Sequence, residues 1–186
     1  MNINKYLKET VKIVDSLSRE SLQSILQELK SLRNNNGRLF IIGVGGSAAN
    51  ASHAVNDFRK IANIDAITPL DNVSELTARI NDEGWETSIV KSLHVSNFSS
   101  NDAILTLSVG GGSESTSKNL VEAMKYAKSV EGKVLGIVSR DGGMTAKLSD
   151  ACIIIPVVNK DTITPHAEEF QAIIWHMLVD LLKYEK

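Results

Sequence analysis

A run of four apolar residues, Leu39-Phe40-Ile41-Ile42, ends in Gly43-Val44-Gly45-Gly46-Ser47 and is followed by His53 and Asp57. An unbroken apolar run of this length reads as a strand buried on both faces, the kind found in parallel sheets. The glycines let the backbone turn sharply into a helix, so that several free N–H groups converge at its positive end. Such a joint suits phosphate or another anion. His53 and Asp57 then fall four residues apart, on one face of that helix and just beyond the loop. An anion cradle beside a His/carboxylate pair points to chemistry on a phosphorylated small molecule. The loop lacks the Lys of a P-loop and the spacing of a dinucleotide fingerprint, and a tight turn without a ligand is the alternative.

The rest of the chain repeats that unit. Helical periodicity runs from Ile3 to about Arg33, in two stripes (Leu7, Val11, Val14, Leu17, then Leu22, Ile25, Leu26, Leu29, Leu32) that suggest a bent helix pair. The first stripe must pack on the domain behind it or on another subunit. Helices are predicted at about Ala48–Ala62, from Asp71-Asn72-Val73-Ser74 through Arg79, around Glu86–Val95, at Lys118–Val130, and from Pro165 to about Tyr184. Asn81-Asp82-Glu83-Gly84 is expected to break the second of these. Strands are predicted at Leu39–Ile42, Ala103–Leu107, Lys133–Val138 and Ala151–Pro156, with a short extended piece at Ala66–Leu70. Alternating strands and helices predict an α/β fold, an open parallel sheet flanked by helices on both faces. An N-terminal helical extension (1–36) precedes the α/β domain (37–186). Ligands of such sheets bind beyond the carboxyl ends of the strands, where Gly43–Ser47, Ser108–Ser117 and Ser139–Gly143 should lie together.

Composition narrows the function. A chain of 186 residues can bury a core without disulfides, and its formal net charge of −2 with scattered Lys and Arg argues against a nucleic-acid surface. The one cysteine, Cys152, sits in an apolar run without a CxxC partner and reads as a core residue. No signal peptide and no bilayer-length apolar stretch is evident, so no membrane partner is expected and the cytoplasm is the expected address.

Ser108-Val109-Gly110-Gly111-Gly112-Ser113-Glu114-Ser115-Thr116-Ser117 joins a strand to a helix, with glycines and hydroxyls able to hold phosphate oxygens. Ser117 stands where an N-cap would, a role compatible with phosphate contact. On the last helix Glu168, Ala172 and His176 share a stripe, and His176 has apolar neighbours in sequence. Two readings stand for it, a satisfied core histidine or a tuned catalytic one. His53, Asp57, Glu168 and His176 together make a His/carboxylate set for a divalent ion such as zinc. Glu168 and His176 are two turns apart, roughly 12 Å along the axis, so both reach one ion only with extended side chains.

Gly43–Ser47 with His53 and Asp57, Asn81-Asp82, the Ser108–Ser117 loop, Arg140-Asp141-Gly142-Gly143 and the Glu168…His176 helix resemble the sugar isomerase (SIS) domain family, and within it the phosphoheptose isomerase branch. The resemblance covers nearly the whole chain and implies a SIS-type, flavodoxin-like sheet. It implies a homotetramer with active sites between subunits, a zinc ion (Zn2+) in each, and interconversion of sedoheptulose 7-phosphate with its aldose. Carried over by position, it puts metal ligands at His53, Asp57, Glu168 and His176, and catalysis at Asp57 and His176. It puts substrate contacts at Val44, Gly45, Gly46, Ser47, Asn81, Asp82, Ser108, Val109, Gly110, Ser117 and Glu168. The chain departs from that branch at Val44 (commonly Asn), Asp57 (Glu), Glu168 (Gln), and at Val109 and Gly110, where hydroxyl residues are usual. The alternatives are an isomerase of a different sugar phosphate and a non-catalytic sugar-phosphate-binding regulatory or assembly protein.

Overall fold

The computed structural model describes residues 2–184. Helices α1 (Ile3–Ser16) and α2 (Arg19–Asn34) lead into strand β1 (Arg38–Ile42). Then come α3 (Gly46–Lys60), β2 (Asp65–Ile67), α4 (Val73–Glu83), α5 (Ser88–Val95) and β3 (Ala103–Ser108). The chain continues through α6 (Lys118–Ser129), β4 (Lys133–Ser139), α7 (Gly143–Leu148), β5 (Ala151–Ile155) and α8 (Ile163–Tyr184). The five strands pair in the order β2-β1-β3-β4-β5, all parallel.

Side chains alternate across a strand, and the two faces of the sheet carry separate cores. Leu39 and Ile41 of β1 point to one face, where they meet Ile25 and Leu29 of α2, Phe58 of α3, and Phe170, Trp175 and Leu178 of α8. Phe40 and Ile42 point to the other, against Ile89 and Leu93 of α5 and Leu120 and Met124 of α6. Both faces are covered, which is why the strands read as continuous apolar runs rather than alternating ones. Each fully buried Leu or Ile contributes about 1.5–3 kcal/mol, and trimming Leu29 to Ala would cost about 2–5 kcal/mol.

Helix α1 turns its apolar stripe outward. Ile13 and Glu9 face the body, whereas Ile3, Leu7, Val11 and Val14 are exposed. Of the stripe predicted from sequence, only Leu17 is buried in this chain. Glu9 fixes the inner side of α1. Its carboxylate accepts from Asn159 Nδ2 at 2.8 Å and from the Thr162 hydroxyl at 2.9 Å, and lies 3.2 Å from His166 Nε2. The Tyr6 hydroxyl donates to Glu169 at 2.7 Å.

Several boundaries differ from expectation: β2 covers Asp65–Ile67 where Ala66–Leu70 is expected to be extended, and α5 begins at Ser88 and not at Glu86. Helix α4 runs through Asn81 and Asp82, whose exposed side chains ask nothing of the backbone, and it ends at Gly84 with φ +88°. Helix α8 starts at Ile163, so Pro165 lies inside its first turn, where no intrahelical N–H is required. No helix among the described residues is long and apolar enough to cross a membrane.

Candidate active site

The carboxyl ends of β1, β3 and β4 carry loops that enclose a cavity of about 330 Å³. Val44 and Ser47 line it from the first loop, Ser108, Val109, Gly110, Gly112, Ser113, Thr116 and Ser117 from the second, and Arg140 and Asp141 from the third. Thr164 at the start of α8 completes the wall. The second loop is held from within and from behind. Ser108 Oγ accepts from the Gly111 N–H at 3.0 Å, and the Gly111 carbonyl accepts from both the N–H and the hydroxyl of Thr145 at 2.8 Å. Gly111 has φ +71°, and a Cβ there would stand 1.9 Å from the Gly142 carbonyl oxygen, so only glycine allows the two loops to pack.

Ser117 does not act as the predicted cap. Its backbone is left-handed (φ +51°, ψ +39°) and its side chain makes no capping bond to α6. The hydroxyl is thereby left to the cavity. Hydroxyls and glycine N–H groups at a helix start form a surface that binds phosphate oxygens.

A second cluster lies further along α3. Asp57 Oδ2 is 3.8 Å from His53 Nε2 and 3.7 Å from His176 Nε2, and one ligand atom from each residue falls within 4.8 Å of the other two. Helical periodicity sets Asp57 one turn beyond His53, and the packing of α3 on α8 delivers His176 to the same spot. The Asp57 side chain is only 13 % exposed, but those of His53 and His176 are 59 % and 50 % exposed. His176 is therefore not the core histidine its neighbours in sequence suggested. Trp175, fully buried, stacks on His176 with ring centroids 3.5 Å apart and meets His53 edge-on at 4.8 Å. Sequence reasoning missed it, although its position beside His176 was the available signal. A hollow of about 470 Å³ opens beside Asp57 and His176.

Two imidazoles and a carboxylate whose donor atoms converge this closely fit a divalent ion with coordination positions to spare. Glu168, expected as a fourth ligand, stands apart from this trio. Its carboxylate lies against the first glycine loop, where a Cβ on Gly46 would meet the carboxylate carbon at 2.5 Å. Asn50 of α3 donates to the Glu168 carbonyl at 2.9 Å and to Gln171 Oε1 at 3.1 Å, which fixes α3 on α8 between the two clusters. Gly45 is exposed at the head of α3. Asn81 and Asp82 bond to each other on exposed α4 and line neither hollow. Arg140, which sequence reasoning noted only as part of a loop, lines the cavity.

The sequence pattern of the SIS domain matches residues 4–139. The chain belongs to the SIS domain family. The phosphoheptose isomerase of Helicobacter pylori is 30 % identical over 170 residues, covering 89 % of this chain and 84 % of the relative. Among solved SIS domains, the phosphoheptose isomerase of Neisseria gonorrhoeae superposes with a TM-score of 0.84 at 22 % identity, covering 97 % of each chain. That of Francisella tularensis superposes with a TM-score of 0.83 at 21 % identity, covering 98 % of this chain and 97 % of the other. The open parallel sheet read from the sequence is the SIS fold.

Proposed function

We propose that this SIS domain is a ketose–aldose isomerase of a sugar phosphate, converting sedoheptulose 7-phosphate to D-glycero-D-manno-heptose 7-phosphate through an enediol. The observation that carries the reading is the placement of an anion-binding cavity and a His53/Asp57/His176 cluster along one helix, α3. Ser47 in the cavity and His53 in the cluster are six residues apart, about 9 Å along the axis, a span matched by an extended seven-carbon phosphate. The likeness to the Helicobacter pylori phosphoheptose isomerase supports the substrate.

Asp57 takes the proton from C1 of the ketose. The C1–H electrons form the C1=C2 bond, and the C2 carbonyl oxygen becomes a hydroxyl by taking a proton. The O1 hydroxyl then loses its proton, C1 becomes the aldehyde, and C2 receives a proton. With its Nε2 free of metal, His176 serves the oxygens as acid and base. Each such group is worth about 10²–10⁴-fold. His53, Asp57 and His176 would hold one zinc ion per subunit, which when bound polarises the carbonyl. Glu168 lies over Gly46 and borders the sugar, and the phosphate end supplies binding energy that holds the reacting carbons in register.

The chain works as a homotetramer in the cytoplasm. The exposed stripe of Ile3, Leu7, Val11 and Val14 supports association through α1, and the exposed Asn81 and Asp82 are available to a neighbour's site. The test is incubation with sedoheptulose 7-phosphate and zinc in deuterated water. Aldose carrying deuterium at C2 is expected; absence of turnover rejects the reading.

A further inference from the structure

We infer that Arg140 is a phosphate-binding residue of this site and sets its preference for phosphorylated over neutral sugars. The inference rests on the sugar-phosphate reading above and adds to it a cation that the glycine and hydroxyl pattern did not call for.

Among the residues lining the cavity, Arg140 is the single cation. Its guanidinium is uncommitted: no described residue offers it a hydrogen bond or an ion pair. The nearest carboxylate in sequence, Asp141, accepts instead from the Gly143 N–H at 3.2 Å. The Arg140 side chain lies across the phosphate loop at Gly110, where a Cβ would meet its Cδ at 3.8 Å and its Nη1 at 4.0 Å. Val109 and Gly110 offer no polar side chain on that stretch of wall, so the guanidinium supplies the charge and the donors there.

The backbone beneath it is held for the purpose. Arg140 has φ +55°, a left-handed conformation that glycine would adopt at less cost. Three bonds keep it there. The Ser139 N–H donates to the Val109 carbonyl at 3.1 Å, the Ser139 hydroxyl to the Ile155 carbonyl at 2.9 Å, and the Gly142 N–H to the Ser139 carbonyl at 3.0 Å. The turn is thus rooted in the residue that follows β3 and in β5, and it carries the guanidinium on a rigid base. A planar fork of N–H donors on such a base matches phosphate geometry better than a free lysine would.

Inorganic phosphate is the probe, titrated into wild type, R140G, R140N and R140K while amide shifts of residues 108–117 are followed by NMR. Glycine and asparagine both accept the left-handed backbone, so these variants remove the guanidinium and keep the fold, which circular dichroism checks. Loss of one charge-assisted contact predicts phosphate binding about tenfold or more weaker in R140G and R140N, with R140K recovering part of it. In steady-state assays KM for the sugar phosphate rises by a similar factor while kcat stays within about threefold. Phosphate affinity within twofold of wild type in R140G overturns the inference, as does a wild type that does not bind phosphate at this loop. Arg140-dependent phosphate binding in a protein that fails to isomerise sedoheptulose 7-phosphate sustains the inference and removes only the isomerase assignment.

Discussion

His176 Nδ1 lies 2.8 Å from the carbonyl oxygen of Ala172, one turn back on α8. A carbonyl only accepts, so Nδ1 donates to it, and Nε2 is the nitrogen turned toward Asp57 Oδ2, 3.7 Å away. In the neutral ring this leaves the Nε2 lone pair for a metal or a transferable proton, and the helix backbone itself enforces that orientation. Stacking on Trp175 fixes the plane of the ring.

Replacing His176 by Gln removes that lone pair and leaves α8 intact. On the zinc site proposed above, the variant is expected to retain after dialysis less than a tenth of the zinc expected of wild type, and kcat is expected to fall by about 10²–10⁴-fold. Elemental analysis beside a steady-state assay checks both.

Much of the fold can be read from the sequence because burial on both faces of the sheet writes itself as Leu39–Ile42, Ala103–Leu107 and Lys133–Val138. The glycine and hydroxyl loops at the strand ends are equally plain. Other features depend on contacts between distant segments. Helix α4 continues past Asn81 because the Arg79–Glu83 pair spans that turn and the first residue of positive φ is Gly84. Helical spacing put Glu168 on the stripe of His176 but could not show that its carboxylate ends over Gly46. The exposure of His176 and the reach of Arg140 follow from how α3 meets α8 and how the β4 loop backs the β3 loop, and neither is local.

Arg38 and Asp102 make the most buried ion pair of the sheet's far end. The carboxylate accepts from Arg38 Nε at 3.0 Å and Nη2 at 2.7 Å, and from the Ser99 N–H at 2.9 Å. Burial pushes the Asp102 carboxyl up, but these donors outweigh it and hold the group below its ordinary value of 3.8. Its contribution to stability is complete above about pH 3.8 and is lost as pH falls through the lower folded value. D102A is expected to cost about 3 kcal/mol at pH 7. In D102N the acid-induced loss between pH 4 and 2 should be shallower than in wild type, as urea midpoints would record.

Gly111→Ala should be more damaging than its size suggests. The new methyl would press on backbone, not on a flexible side chain, and in a left-handed conformation. A loss of about 3 kcal/mol is expected, near 10 °C in a calorimetric scan, together with loss of phosphate binding.

Cys152 should be inert while the protein is folded. Burial pushes its thiol up to about 11, and the contact with Ser149 only partly offsets this. At pH 8 about one thiol in a thousand is ionised, so iodoacetamide should label the unfolded protein promptly and the native protein hardly at all. Mass spectrometry with and without urea checks this.

Leu7→Asp with Val11→Asp places two charges on the outer stripe of α1. Each side chain, if covered by a neighbouring copy, contributes about 1.5–3 kcal/mol. Light scattering is expected to show a smaller assembly than wild type, with unchanged circular dichroism because both side chains are largely exposed on their own chain.

Glu9 is bonded to Asn159 and Thr162 just before α8 and lies 3.2 Å from His166 in its first turn, and Tyr6 donates to Glu169 one turn further on, which gives the outer helix a mechanical role. Whatever force a neighbour exerts on α1 is passed through a stiff polar clamp to the same helix that carries His176 at its middle. Contacts made on α1 and the aim of the His176 ring would therefore share one strut, and loosening either end should be felt at the other.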